Sequence, residues 1–203
     1  MKTRIFAWLI FVFFTAFCLL SAQLHITQQL LAQKTVRLHV VANSDTPEDQ
    51  AQKLRVRDAV LLCVSDLTAG CKNAQEARQL LSENLAHVNT AAEAVLAREG
   101  SAYCVRTTLC VEPFDTRVYD TFSLPAGNYP SLRVKIGAAE GKNWWCVVFP
   151  SLCMAASTQE LEACAQLGGL TEEEMTLIRG GEEDYQLRFQ AWEWLQELLS
   201  WLS

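Results

Sequence analysis

The sequence predicts an α+β fold, in which a mixed or antiparallel sheet of about four to five strands packs against a two-helix hairpin. Two observations predict it. Several short segments alternate apolar and polar residues, as strands do, and two long segments between residues 47 and 98 carry apolar residues at helical spacing. The chain has 203 residues, half of them apolar, which is enough for one hydrophobic core.

The N-terminal segment is apolar and uncharged after a basic start. Lys2 and Arg4 precede an apolar run from Ile5 to Ala22, which is typical of a secretory signal and is also just long enough to span a bilayer. The basic residues hold the start on the cytoplasmic side. We therefore predict that residues 1–22 are a signal peptide or a membrane anchor, that residues 23–34 are an amphiphilic tether, and that the remainder is exported.

The charge and the cysteines of the exported part exclude some classes of function. Outside residues 1–22 there are 15 basic and 23 acidic residues, a net charge of −8, so nucleic acid is not an expected partner. Exported cysteines are typical of disulfides, and the absence of a C-x-x-C motif argues against zinc binding and thioredoxin-like exchange. We expect no metal and no cofactor.

The first strand and the first helix of the body follow each other directly. Residues 35–42, TVRLHVVA, alternate as a strand does. Thr46 is a good N-cap, Pro47 suits the first helical position and Asp49 completes a capping box, so we predict a helix over residues 47–67. Its apolar residues wrap more than half of the helix, which predicts burial between other elements: Leu54, Val56, Val60, Leu61, Cys63, Val64 and Leu67.

The next segments predict one more helix and then a series of strands. A helix is expected over residues 74–98, ended by Gly100, and a strand from residue 102 to residue 111. Residues 118–124 are a further candidate strand and residues 125–130 a turn. Residues 132–136 and 144–149 flank a glycine-rich connection, which predicts a hairpin.

The segment NWWCVVFPSLC, residues 143–153, is the most unusual part of the sequence. On a strand, Trp144 and Trp145 point to opposite faces, and both faces are apolar, so we predict a strand buried between two layers. A turn at Pro150 can bring Cys146 and Cys153 together, which predicts a disulfide that locks the end of the strand. These predictions define a domain over residues 35–155.

Residues 156–203 are expected to form a connecting arm and a C-terminal amphipathic helix. In the last 14 residues, three tryptophans and four leucines fill one half of a helix, which must dock on an apolar surface: Trp192, Trp194, Leu195, Leu198, Leu199, Trp201 and Leu202.

No catalytic constellation is recognisable in the sequence. The three histidines, His25, His39 and His87, lie in settings that do not suggest a triad, and no metalloprotease, nucleotide-binding or esterase motif is present. The acidic cluster around Asp45 and Asp49 uses the residue types of turns and helix caps, so we interpret it as capping.

Three segments together resemble the stage II sporulation protein R family of endospore-forming bacteria. They are RLHVVANSDTPEDQAQKLRVRDAV (37–60), PAGNYPSLRVKIG with NWWCVVFPSLC (125–153), and the tryptophan-rich C-terminus. The resemblance implies a protein exported from the forespore that switches on a membrane-embedded aspartic protease of the mother cell. That protease cleaves the pro-sequence from sigma factor E. The resemblance therefore implies a signalling protein and not an enzyme, and the family supplies no catalytic residues.

Three surfaces are candidate contacts for such a partner. They are the turn Asn43, Ser44 and Asp45, the side chain of Trp144, and the face formed by Trp192, Trp194 and Trp201. Capping, core packing and intramolecular docking are the alternative roles for the same residues. The alternative function is an exported enzyme or thiol-exchange protein acting at the cell wall. A membrane-surface role of the C-terminal helix is disfavoured by its acidic polar face.

Overall fold

The computed structural model describes residues 2–155 and 157–179. The predicted C-terminal helix, with Trp192, Trp194 and Trp201, lies outside these residues. The α+β class is confirmed. The elements are α1 Lys2–Gln33, β1 Val36–Val41, α2 Pro47–Thr68, α3 Ala74–Glu83, α4 Leu85–Arg98, β2 Val105–Phe114, β3 Arg117–Val118, β4 Ser123–Leu124, β5 Gly127–Ile136, β6 Asn143–Phe149, a 3₁₀ turn Leu152–Met154, α5 Thr158–Leu167 and α6 Glu172–Arg179.

The main sheet is mixed and has four strands in the order β2-β5-β1-β6. β1 runs parallel to β5 and antiparallel to β6, and β2 is antiparallel to β5. The predicted hairpin of residues 132–136 with residues 144–149 is therefore wrong, because β1 lies between these two strands. Five of the six residues of β1 are buried, so its backbone groups need a hydrogen-bonding neighbour on both sides. The small sheet β3-β4 replaces the single strand expected over residues 118–124.

The helices α2, α3 and α4 cover one face of the sheet. α2 packs through Val56, Val60 and Val64, whereas Leu54 and Leu62 are exposed, so the predicted burial between other elements holds for only part of its circumference. The helix expected over residues 74–98 is interrupted at Asn84. The Asn84 backbone N–H and its Nδ2 both donate to the carbonyl of Leu80, which ends α3 before α4 begins.

The opposite face of the sheet is covered over one half by a second layer. Residues 158–179, expected in a connecting arm, form α5 and α6, and these helices bury Leu161, Met175 and Ile178 against Val147 of β6. β6 thus lies between two layers, as predicted. A register shift opposite Val36 places Phe149 in the same core cluster as Cys146, on the face toward the helices α2–α4.

The N-terminal helix is continuous and its last turn is part of the folded body. Residues Phe11–Gln33 are long and apolar enough to cross a membrane. However, Leu31 is fully buried in the core and Gln28 donates a hydrogen bond to the carbonyl of Ala126. Lys34 pairs with the buried Glu174 of α6 at 2.8 Å. Residues 23–33 are therefore helical with their last turns packed on the body, and any membrane-spanning part precedes Gln28.

Candidate interaction site

The turn between β1 and α2 is held by a network of hydrogen bonds centred on Asp49. Asn43 Nδ2 and Ser44 Oγ donate to Asp49 Oδ2 at 2.8 and 2.6 Å. These bonds, that from Ser44 first, lower the pKa of the Asp49 carboxyl below its usual value. The Asp49 backbone N–H donates to Thr46 Oγ1, so the predicted cap is confirmed. The charge of Asp49 also lies in the first turn of α2, where the helix dipole favours it.

The same turn fixes the connection between β5 and β6. Asn43 Oδ1 accepts from the backbone N–H of Ala138 at 2.9 Å, and Asp45 Oδ1 accepts from the backbone N–H of Lys142 at 2.6 Å. Gly137 has φ +57°, and a Cβ at Gly141 would collide with the backbone carbonyl of Ser44. The two glycines therefore let the loop lie directly against the turn.

These contacts assign a structural role to the turn. The polar atoms of Asn43 and the carboxylate of Asp45 bind backbone groups of the β5–β6 loop, and Ser44 binds Asp49. Asp45 is nevertheless exposed, and its bonds to Lys142 and Gln50 use Oδ1 alone, so a contact between this turn and a partner stays a prediction. Capping and loop fixation account for its composition.

The adjacent tryptophans lie on opposite faces of β6, as the alternation predicts. Trp144 is half-buried against the helical layer, and the guanidinium of Arg57 lies 4.8 Å from its ring centroid. Trp145 lies on the opposite face of the sheet, beside Ala32, Phe114 and Tyr129. Its ring stacks on His39 at a centroid distance of 5.5 Å, and the Arg117 guanidinium lies 3.9 Å from the ring centroid.

A polar cluster surrounds Trp145 on that face of the sheet. His39 Nδ1 lies 3.2 Å from the carboxylate of Glu112, Arg133 Nε donates to Glu112 at 2.8 Å, and His39 Nε2 lies 2.9 Å from Asn143 Oδ1. Burial by itself raises the pKa of Glu112, but the hydrogen bonds from Arg133 and the charge of His39 outweigh it, and the pKa is lowered. Glu112 therefore serves as a buried anion that orders two side chains.

This cluster was not recognised from the sequence. His39, Glu112 and Arg133 come from three different strands, and only the register of β1, β5 and β2 brings them together. The single sequence signal was the polar face of β1, where Arg37 and His39 alternate with valine and leucine.

The cluster lacks the parts of a hydrolytic site. Among the described residues, no hydroxyl or thiol group is a hydrogen-bond partner of His39, so no nucleophile is positioned beside it. No group of three or more potential metal-ligating side chains occurs in residues 2–155 and 157–179.

Arg37 is an unusual member of the same face because it is fully buried. Its Nη2 donates to Tyr119 Oη at 2.7 Å, and its guanidinium lies 4.0 Å from the Phe114 ring centroid and 5.0 Å from that of Tyr129. Burial lowers the pKa of Arg37. The aromatic rings stabilise this buried charge. Arg37 is therefore part of the core and not of an accessible site.

The cysteines divide into one disulfide and several thiols. Cys146 and Cys153 form a disulfide with their Cα atoms 6.1 Å apart, across the turn at Pro150. Burial raises the pKa of the thiols of Cys63, Cys71 and Cys164, with smaller contributions from nearby carboxylates. A thiol-exchange centre needs the opposite shift.

Together these features define an α+β domain, carried on an apolar helix, with an aromatic and cationic cluster on one sheet face. The stage II sporulation protein R family profile matches residues 32–159, which is more than half of the chain. The chain belongs to this family.

A curated relative supports this assignment. The stage II sporulation protein R of Bacillus subtilis (strain 168) is 31% identical over 124 residues. That match covers 61% of this chain and 55% of the relative, so it spans only about half of the length of the relative. No solved structure matches the chain.

Proposed function

We propose that this protein is an exported sporulation signal that activates a membrane-embedded aspartic protease of the mother cell and so leads to processing of pro-sigma factor E. The family membership over residues 32–159 carries this proposal. The protein leaves the forespore and acts in the space between the two septal membranes, either released after cleavage or anchored to the outer face of the forespore membrane. It acts as a ligand and not as an enzyme.

The architecture supports the proposal through the N-terminal helix. Its exposed apolar residues include Phe11, Phe13 and Leu19, whereas Leu31 is buried in the body. A helix that is apolar and exposed along most of its length and buried at its end holds the folded body next to the outer surface of a membrane. Residues 35–155 are the signalling domain, and the residues Trp192, Trp194 and Trp201 of the C-terminal segment are a further contact for the partner.

Activation requires that the ligand bind the active arrangement of the protease more tightly than the inactive one. An aspartic protease needs two aspartates side by side. A ligand that favours a protease dimer in which the two aspartates meet therefore activates it without taking part in the chemistry.

Reconstitution tests the proposal. The protease and its pro-sigma substrate are co-produced in a non-sporulating host, with and without this protein, and substrate cleavage is followed by size. We expect cleavage only when this protein is present and exported. A variant lacking residues 1–22 is the matched control and should not support cleavage. Absence of cleavage with all partners folded and the protein exported would refute the proposal.

The alternative of thiol exchange lacks a supporting observation in the described residues. Three of the thiols have raised pKa values, which keeps them protonated at neutral pH. Labelling with a thiol reagent at pH 7 checks this directly. Slow labelling of Cys63, Cys71 and Cys164 is expected, whereas rapid labelling of one of them would favour the alternative.

A further inference from the structure

The uncovered half of the sheet carries a cationic surface on an otherwise acidic protein. The strand register sets Thr108, Arg133, His39 and Trp145 in one row across β2, β5, β1 and β6, and sets Arg106 beside Lys135 in the next row. Arg106, Thr108 and Lys135 are exposed, and Arg133 and Trp145 are half-buried. We call this surface the open face.

Most of the positive charge of the open face has no ion-pair partner among the described residues. Arg106, Arg133 and Lys135 lie in it, and Arg117 borders it through its contact with Trp145. Among the described residues, the carboxylate of Glu112 is the only ion-pair partner of these four cations, and it pairs with Arg133. The whole chain has a net charge of −6, so a local excess of positive charge is not a consequence of composition.

The open face also has the residue types of a binding hot spot. Trp145 lies at the edge of the open face, where it contacts His39 and Arg117. Tryptophan and arginine are the side chains that most often dominate the binding energy of interfaces. The buried Glu112 orders Arg133 and His39 before any partner arrives, which lowers the entropy lost on binding.

The position of the open face relative to α1 follows from the strand register. α1 enters the body at the amino end of β1, whereas His39 and the row of Arg106 and Lys135 lie toward its carboxyl end, about 10–20 Å further along the strand. The open face thus lies at the end of the sheet opposite to the attachment of α1.

We propose that the open face is the docking surface for an acidic segment of the partner protein. This inference rests on the proposed function. The carboxylates of that segment pair with Arg106, Lys135 and Arg133, and an apolar side chain packs on Trp145. Charge complementarity of this kind accelerates association and selects the partner.

Charge reversal in the full chain tests the inference. The variant Arg106→Glu with Lys135→Glu should lower substrate cleavage in the reconstituted host by about tenfold or more. The control Lys72→Glu with Arg98→Glu makes the same change of charge beside the helical layer, where both residues are exposed, and should leave cleavage unchanged. Equal export and equal thermal unfolding of the variants exclude misfolding. Full activity of the first variant, or equal loss in both, would overturn the proposal.

Photo-crosslinking separates this inference from the proposed function. A photoreactive amino acid at Thr108 should form an adduct with the tagged protease, and one at the exposed Ala94 of α4 should not. An adduct from Thr108 without any substrate cleavage supports the docking surface and contradicts the activation step. No adduct from Thr108 while wild-type protein supports cleavage overturns the docking surface.

Lipid is the competing occupant. Flotation compares vesicles containing phosphatidylglycerol with vesicles of phosphatidylcholine alone, because α1 inserts into both. A preference for the anionic vesicles that disappears in Arg106→Glu with Lys135→Glu would assign the open face to a membrane and overturn the proposal. The same affinity for both vesicles supports a protein partner.

Discussion

Individual polar residues of this protein mostly serve its own fold. Asp49 illustrates this, because it is 8% exposed and accepts hydrogen bonds from Asn43 and Ser44. An aspartate near a helix start suggests only a cap in the sequence. Its position shows that it also holds the turn that fixes the β5–β6 loop.

Replacing Asp49→Asn should lower the free energy of unfolding at pH 7 by about 1–3 kcal/mol, because charge-assisted hydrogen bonds are lost. The folded pKa of Asp49 is lowered, so the ionised carboxylate stabilises the fold above its ordinary pKa of about 3.9. This stabilisation is lost as the pH falls through the folded pKa. Urea denaturation of wild type and variant should therefore converge below about pH 4, while the exposed Asp66→Asn behaves as wild type throughout.

Gly141→Ala should destabilise the protein by more than about 1 kcal/mol, because the new Cβ collides with the carbonyl of Ser44. Gly70→Ala is the matched control, since a Cβ there has no atom within 4 Å, and it should not destabilise. Thermal unfolding of both variants is the measurement. Equal unfolding temperatures would show that the loop moves freely away from the turn.

At the scale of elements, residue patterns predicted the main strands, but they did not predict which strands pair. The segments that became β1, β5 and β6 were recognised as strands, but their neighbours were not. A hairpin is the default for two strands joined by seven residues, and only the burial of β1 on both faces places it between them. The open face follows from that order, which is why its residues could not be grouped from the sequence.

The end of α1 packs on the folded body, although composition predicted only an amphiphilic tether there. Leu31→Ala should destabilise the full chain by about 2–5 kcal/mol, because Leu31 is fully buried in the core. The neighbouring Leu30→Ala, 45% exposed, should change stability by less than about 0.5 kcal/mol. Unfolding in detergent measures both. Similar small effects would mean that residues 23–34 are the loose tether that composition suggested.

The end of β6 is locked by the disulfide in the structure. Reducing Cys146–Cys153 should lower stability by about 2–3 kcal/mol, because a closed loop of this length restricts the unfolded chain. Denaturation with and without reductant measures the effect. The variant Cys146→Ala with Cys153→Ala should lose this sensitivity to reductant; if it keeps it, other cysteines carry the bond.

At the scale of the whole molecule, we propose that the partner contacts this protein in two places. One is the open face, and the other is the tryptophan face of the C-terminus, outside the described residues. The double variant Trp194→Ala with Trp201→Ala should abolish substrate cleavage in the reconstituted host without changing the thermal stability of the body. The polar-face variant Gln196→Ala with Ser200→Ala is the matched control. Equal loss of stability would show instead that the tryptophans are core.

The sequence by itself determined the α+β class, the apolar N-terminal helix, the cap at Thr46 and the burial of β6 between two layers. These features follow from local patterns, because residue periodicity and capping chemistry act over a few residues. Only the tertiary structure decided the strand order, the role of the Asn43–Asp45 turn and the grouping of His39, Glu112, Arg133 and Trp145. These depend on which strands pair and in which register, and residues 73 positions apart in the chain become neighbours only through that pairing.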